Sequence, residues 1–262
     1  MLVTLATRTF TPEPTAAALR LGALARALAA GGDTVRVLTS RLAPSVARDT
    51  RQSADGGVDA GEGGSIISVR RAPVLRDRTG AVRGYVSYMS FDVPLVARLL
   101  TGPRPDIVVS EPPPTTGAAV RIACALRRIP YVYYCADIVS DAAALAGVPG
   151  LVVRTVAGLE SFALRGARRV IAVSDGVARR ARDLGARDVT VVPNGVRVPD
   201  VVATGTPEGF PACDGPVFVY AGTVAQWLAP EIFVDAFERA RARLGDARLV
   251  FVGQGSGWDA LA

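Results

Sequence analysis

The chain has 262 residues, with 30 basic and 24 acidic side chains, a net charge of +6 and half its residues apolar; that is too apolar for an unfolded chain and long enough for one large domain or two modest ones. All 30 basic residues are arginine, and neither lysine nor histidine occurs, which excludes a Walker lysine, Schiff-base chemistry, Ser-His-Asp triads and histidine-bearing zinc sites. Cys124, Cys135 and Cys213 show no C-x-x-C spacing, so no disulfide framework or metal knuckle is expected, and catalysis falls to carboxylates, hydroxyls, arginines and backbone dipoles.

In chain order, Leu2–Ala6 reads as a strand, followed by a helix opening at Pro14 or Thr15. Its apolar positions Leu21, Leu24, Ala25 and Leu28 repeat at helical spacing, and Gly31-Gly32 ends it. Thr34–Leu38 is a second strand, parallel to the first by the crossover rule. Residues 45–64, rich in Gly, Asp and Ser, read as a surface loop. Further strands are expected at Ile66–Val69, Ile107–Val109, Tyr131–Tyr134, Val170–Val173 and Val189–Val192, with helices at Thr116–Leu126 and Gly176–Leu184. The alternation predicts an α/β, doubly wound sheet. A run of Gly, Pro and Thr marks a linker at 201–215, dividing a first domain, residues 1–200, from the start of a second at 216–262. That second part holds Val217–Ala221, a helix over Pro230–Leu244 and Ala247–Val252, a lone βαβ below the size that usually folds unaided. No run approaches the roughly 20 apolar residues of a membrane span, and Met1–Thr11 lacks the basic end of a secretory signal, so a cytoplasmic address is expected.

Ligands of open α/β sheets bind beyond the carboxyl ends of strands, so the segments after each strand carry the chemistry. After the first strand come Phe10 and Glu13, with no glycine fingerprint, which disfavours a nicotinamide cofactor. Glu111 precedes three prolines at the start of a helix that Thr115 can cap. Asp137 follows the aromatic strand; it reads equally as a general base or as a cap for a helix over Ile138–Ala146. Ser174-Asp175 reads as a capping turn, and Asn194-Gly195 as a sharp turn. Gly222-Thr223 and Gly253-Gln254-Gly255 end the two strands past the linker, where glycines let a phosphate approach the backbone amides. The paired arginines sit at helix ends without interleaved aromatics or a known binding motif, so no nucleic-acid partner is expected.

The segments Phe10–Glu13, Leu24–Thr39, Asp106–Gly117, Ile129–Gly147, Leu159-Glu160, Ala172–Ser174 and Val191–Val196, in this order, resemble a family 4 retaining glycosyltransferase of the GT-B fold. Within that family they look like the bacterial branch that builds capsular and colanic-acid-like polysaccharides and transfers aminosugars. The resemblance implies transfer of a sugar from a nucleotide-diphosphate donor to a glycan or lipid-linked acceptor, with retention and with no metal or other cofactor. It implies a catalytic role for Asp137 and an acceptor cleft with Phe10, Glu13, Glu111, Asn194 and Gly195. Donor contacts fall on Gly222, Thr223, Gln226, Gly253 and Gly255, with the donor-side domain only begun. A lipid-linked acceptor would bring the protein to the inner membrane face as a peripheral partner. Three departures stand out: Ala136 replaces a basic residue, Val139-Ser140 replaces Trp-Pro, and Thr223–Pro230 lacks the usual Arg and Lys. The alternative reading is a non-catalytic acceptor-domain protein, or one subunit of a split transferase.

Overall fold

The computed structural model describes residues 1–44, 46–48, 67–77, 82, 84–195, 205, 209–210, 213–222, 224, 229–253, 257–258 and 261. Of the expected loop at 45–64 only 46–48 fall among them, and of the expected linker only 205, 209–210 and 213–215; the rest of both lies outside the described residues. The chain divides into two units, Met1–Val196 and Arg197–Ala262.

In the first unit, short β-branched and aromatic runs form seven strands: β1 (Leu2–Ala6), β2 (Thr34–Ser40), β3 (Ile67–Ala72), β4 (Ile107–Ser110), β5 (Tyr131–Cys135), β6 (Arg169–Ala172) and β7 (Val189–Val191). They pair in parallel in the order β3-β2-β1-β4-β5-β6-β7. The chain therefore winds outward from β1 to β3, returns to lay β4 on the other side of β1, and proceeds to β7. The point of reversal lies between β1 and β4, where such sheets open a crevice at the carboxyl ends of their strands.

Because side chains alternate across a strand, the sheet feeds two cores. On one face Ala6, Leu38, Val108, Tyr133, Cys135 and Val170 pack with helices α2 (Tyr85–Thr101), α3 (Pro114–Arg127) and α5 (Gly150–Gly166), through Leu95, Val120 and Leu164 among others. On the other, Val3, Leu5, Val35, Val37, Val109 and Tyr134 pack with α1 (Ala16–Ala30) through Leu21, Ala25 and Ala29. Helices on both faces make this the doubly wound, Rossmann-like α/β class expected from the sequence. Thr15 caps α1, its hydroxyl accepting from the Ala18 N–H at 3.1 Å. Gly117 lets α3 approach the sheet: a Cβ there would lie 2.6 Å from the Tyr133 ring and 2.8 Å from Ala163 Cβ.

Two expectations are corrected. The start of α3 is at Pro114 with Pro113 in the cap position, not at Thr116 behind Thr115; proline suits the first helical position because its missing N–H would have no partner there. Helices α2 and α5 were not expected: Pro94 interrupts the first, while glycines at 150, 158 and 166 dilute the pattern of the second. Between them lie α4 (Val139–Leu145) and, after β6, α6 (Asp175–Asp183), whose cap Ser174 accepts from the Val177 N–H at 3.3 Å.

In the second unit β8 (Val217–Ala221) and β9 (Arg248–Val252) pair in parallel in a separate two-stranded sheet, joined through α7 (Glu231–Leu244).

Candidate active site

The β1/β4 reversal point holds a cavity of about 250 Å³. Five segments bring polar side chains to its wall: Arg8 and Thr9 from the loop after β1, Arg20 from α1, Tyr88 from α2, Glu111 from the turn after β4, and Asp137 from the turn after β5. Parallel pairing makes this convergence a consequence of topology, since the carboxyl ends of β1, β4 and β5 lie side by side.

Glu111 is 5% exposed. Burial raises its pKa to about 7, with Asp137 adding to the rise and the Thr7 hydrogen bond, Arg20 and Arg8 opposing it. The Thr7 hydroxyl accepts from the Thr9 N–H at 3.2 Å and has a single hydrogen for two oxygens, the Thr9 carbonyl at 2.7 Å and Glu111 Oε1 at 2.5 Å. A protonated Glu111 resolves this. The acid donates to Thr7 Oγ1, Thr7 donates to the Thr9 carbonyl, and each contact holds one proton.

Asp137 stands exposed at the mouth. Desolvation by the surrounding protein raises its pKa, and Arg20 pulls the other way. Its reading as a helix cap is removed by the structure: Ile138 occupies the cap position of α4. The first-turn donors go to Glu160 instead, a fully buried residue of α5 that accepts from the Val139 N–H at 2.9 Å, the Ser140 N–H at 3.2 Å and the Ser140 hydroxyl at 2.6 Å. Among the described residues the Asp137 carboxylate has no hydrogen-bond donor, while its carbonyl accepts from the Cys135 thiol at 3.4 Å. Its backbone is held while, among the described residues, its carboxylate is not.

The cationic side of the cavity carries groups that sequence reasoning missed. The Arg8 guanidinium lies 4.0 Å from the centre of the Tyr88 ring, and that of Arg20 lies 5.9 Å from Tyr134. Arg8 Nε and Nη1 and Arg20 Nε are shielded from solvent and have no acceptor. Both half-buried guanidinium groups are thus packed against aromatic rings, and among the described residues these three nitrogens meet no oxygen acceptor. Behind Arg8, Asp92 of α2 is buried and accepts from the Thr116 hydroxyl at 2.6 Å; burial raises its pKa, and Thr116 and Arg8 lower it. Thr7 and Arg8 follow β1 directly, so the strand-end rule reaches them, and they were passed over for Phe10 and Glu13. Tyr88 belongs to the unexpected helix.

The remaining expected residues are placed elsewhere. Phe10 is 1% exposed and packs in the α1-side core, so it does not line the cavity. Glu13 is buried against Arg76, 3.1 Å away, and ties the β1–α1 loop to the segment after β3; burial raises its pKa and Arg76 opposes this. Asn194 and Gly195 are exposed beyond β7, at the sheet edge, and are not part of the cavity wall. In the second unit Gly222 and Gly253 adjoin at the ends of β8 and β9; the Gly222 N–H donates to the Val252 carbonyl at 2.9 Å, and a Cβ on Gly253 would collide with the Gly222 carbonyl. Thr223, Gln226 and Gly255 lie outside the described residues. Among the described residues no three acidic or cysteine side chains converge as a metal site requires, and no helix is long and apolar enough to cross a membrane.

The fold is similar to that of sucrose-phosphate synthase from Thermosynechococcus elongatus, with a TM-score of 0.66 and 17% identity over 96% of this chain and 62% of that one. Arabidopsis thaliana UGT89C1 complexed with UDP-L-rhamnose matches with a TM-score of 0.53 and 11% identity, over 96% of this chain and 69% of that one. A UDP-N-acetylglucosamine 2-epimerase matches with a TM-score of 0.53 and 12% identity, over 95% and 62%. No curated protein sequence matches the chain. These likenesses establish a fold shared by enzymes of different reactions. The family model for the glycosyl transferase 4-like domain matches residues 15–195, the stretch that builds α1 to β7 and carries Arg20, Glu111, Asp137 and Glu160: the chain belongs to the glycosyl transferase 4-like family.

Proposed function

We propose that the protein is a glycosyltransferase that moves a sugar from a nucleotide-diphosphate donor to an acceptor hydroxyl held in the cavity of the first unit. The observation that carries this reading is Asp137, a carboxylate without a structural hydrogen bond, at the carboxyl end of a central strand and inside the family-matched stretch. The acceptor oxygen forms the new bond to the anomeric carbon on the same face from which the donor's diphosphate departs, as retention in a single step requires. The bond from that carbon to the donor's diphosphate breaks with its electron pair leaving on the diphosphate, and the hydroxyl proton passes to Asp137. Retention of configuration, independence from metal and a place in bacterial capsule-type polysaccharide assembly rest on the motif resemblance, as does a cytoplasmic site of action close to the inner membrane face. The donor diphosphate is assigned to the glycine-bearing strand ends at Gly222 and Gly253, with Thr223, Gln226 and Gly255. Asn194-Gly195 is assigned to the rim of the acceptor cleft, with Phe10 and Glu13 supporting its floor.

The test is a transfer assay on the full chain with a panel of nucleotide sugars, reading the glycosylated product and its anomeric configuration. Asp137→Asn is expected to lower the rate by about 10²- to 10⁴-fold while leaving the melting temperature unchanged, because the side chain is exposed. A variant that keeps its rate removes Asp137 from the chemistry. A second reading, an acceptor-binding chain that is one subunit of a split transferase, draws on the open faces of the β8/β9 sheet, with Phe218 44% and Val219 51% exposed. Calorimetry with nucleotide sugars separates the two, since donor binding by the chain alone favours the first.

A further inference from the structure

The proposed reaction leaves two cations of the cavity without employment. Transfer to a hydroxyl needs a base, which Asp137 supplies, and a leaving diphosphate, which is assigned to the second unit. It does not need guanidinium groups on the acceptor side. Yet Arg8 and Arg20 both line the cavity, neither forms an ion pair among the described residues, and three of their nitrogens are shielded without an acceptor. Tyr88 holds Arg8 by its ring and offers no counter-charge.

The groups facing these cations are Glu111, Asp92 and Asp137, all acids whose pKa is raised, by burial at Glu111 and Asp92 and by desolvation from the surrounding protein at the exposed Asp137. Guanidinium cannot surrender its proton under the same pressure. The positive charge of the cavity is thus permanent and its negative charge adjustable. Such a wall accommodates an incoming anion by protonating Glu111, whose acid form already has a place in the Thr7–Thr9 hydrogen-bond chain. A neutral sugar would leave the arginine charge as it stands. The volume, about 250 Å³ in a pocket open to solvent, is enough to seat one small substituted sugar or headgroup.

We propose that this cavity takes a phosphate-bearing acceptor, its oxyanion seated on Arg8 and Arg20 and its hydroxyl presented to Asp137. The proposal rests on the transferase reading for the role of Asp137, and its test reads binding with no donor present, so that the two can fail separately. Calorimetry on the full chain compares glucose 1-phosphate with methyl glucoside, and sedimentation with vesicles of phosphatidylcholine with and without phosphatidic acid asks whether the phosphate is presented by a lipid. Supporting results are binding of glucose 1-phosphate, or of the phosphatidic acid vesicles, that Arg8→Gln and Arg20→Gln each weaken by about tenfold or more. The soluble probe places the acceptor in solution and the vesicle places it on a membrane. Wild-type binding is expected to tighten from about pH 8 to about pH 7, above the second ionisation of the phosphate ester at about pH 6, and Glu111→Gln to remove that part of the dependence. Equal affinity for methyl glucoside overturns the proposal, as does phosphate binding that survives both arginine substitutions or ignores pH. Loss of UDP binding in Arg8→Gln, with sugar phosphate unaffected, also overturns it, by giving the arginine to the donor.

Discussion

Glu111 combines near-complete burial with a hydroxyl neighbour short of hydrogens, and its protonation is therefore coupled to folding. Its pKa rises from 4.5 in the unfolded chain to about 7 in the native one, burial being the main cause. The native state then holds the proton more tightly across that interval, so stability falls as pH rises from about 4.5 through about 7, by roughly 3 kcal/mol in all. Glu111→Gln cannot ionise, and its side-chain N–H still donates to Thr7. Urea melts at several pH values are expected to show the wild type losing this increment and the variant staying flat relative to it. A parallel pH dependence in both proteins would mean that Glu111 ionises as freely when folded as when unfolded. At this scale the sequence was partly legible. Glu111 and Asp137 follow strands directly, and their meeting comes from strand order alone. Phe10 and Glu13 obey the same positional rule, yet the loop turns them inward, because the phenyl ring is better satisfied in the core beneath α1 and the carboxylate against Arg76 after β3 than either is in the crevice. Position along the chain selects the loop, and packing selects which of its side chains looks out.

At the scale of elements, the short helix α4 depends on a residue far from it in sequence. A seven-residue helix is below the length that holds itself together in water. Its amino end has no capping side chain of its own, and the two carboxylate oxygens of Glu160 in α5 accept three hydrogen bonds from its first turn. Glu160→Ala strands those donors in a dry site and is expected to destabilise the protein by roughly 3 kcal/mol. The turn that holds Asp137 should loosen with it, so the transfer rate should fall more steeply than the melting temperature alone accounts for. Hydrogen exchange localises the effect: faster exchange of the Val139 and Ser140 amides, with β1 and β2 unchanged, is the expected pattern, and uniform loss of protection would point to a global defect instead. The Leu159-Glu160 pair was noticed in the sequence as a family feature, but its cap function was not legible, because α5 itself was missed. Its buried positions are few and include a carboxylate, Glu160, with Ala163 and Leu164. The strands past the linker, which stop at Gly222 and Gly253, were read to within a residue, since alternation and turn chemistry agree there. By contrast, β3 runs to Ala72, three residues past the expected Val69, because Arg70 and Arg71 continue the pairing with Leu38 and Thr39. Helix α2 failed because Pro94 sits on its exposed side, where a proline costs little packing and yet breaks the pattern on which a helix is recognised.

On the scale of the whole molecule the two units differ in how completely they bury their apolar surface. The first has a core on each face of its sheet, with Val35, Val37, Leu95 and Leu164 fully enclosed. In the second, α7 buries no residue among those described, and its two strands leave Phe218 44% and Val219 51% exposed, so both faces of that sheet are open. Its aromatic contacts, Phe218 with Phe237 at 6.0 Å and Tyr220 with Phe233 at 5.2 Å, form on one side only. A two-stranded sheet with one helix is too small to offset the conformational entropy of ordering it. Residues 1–196, expressed alone, are therefore expected to melt in one cooperative transition near that of the full chain. Residues 197–262 alone should show no cooperative transition in circular dichroism and should bind a hydrophobic dye. The cavity belongs wholly to the first unit, so the fragment 1–196 should also retain any affinity for glucose 1-phosphate that the full chain has, while nucleotide-sugar binding should go with the second unit. Failure of 1–196 to melt cooperatively would show that the two cores of the first sheet are not self-sufficient, and that the second unit contributes burial as well as chemistry.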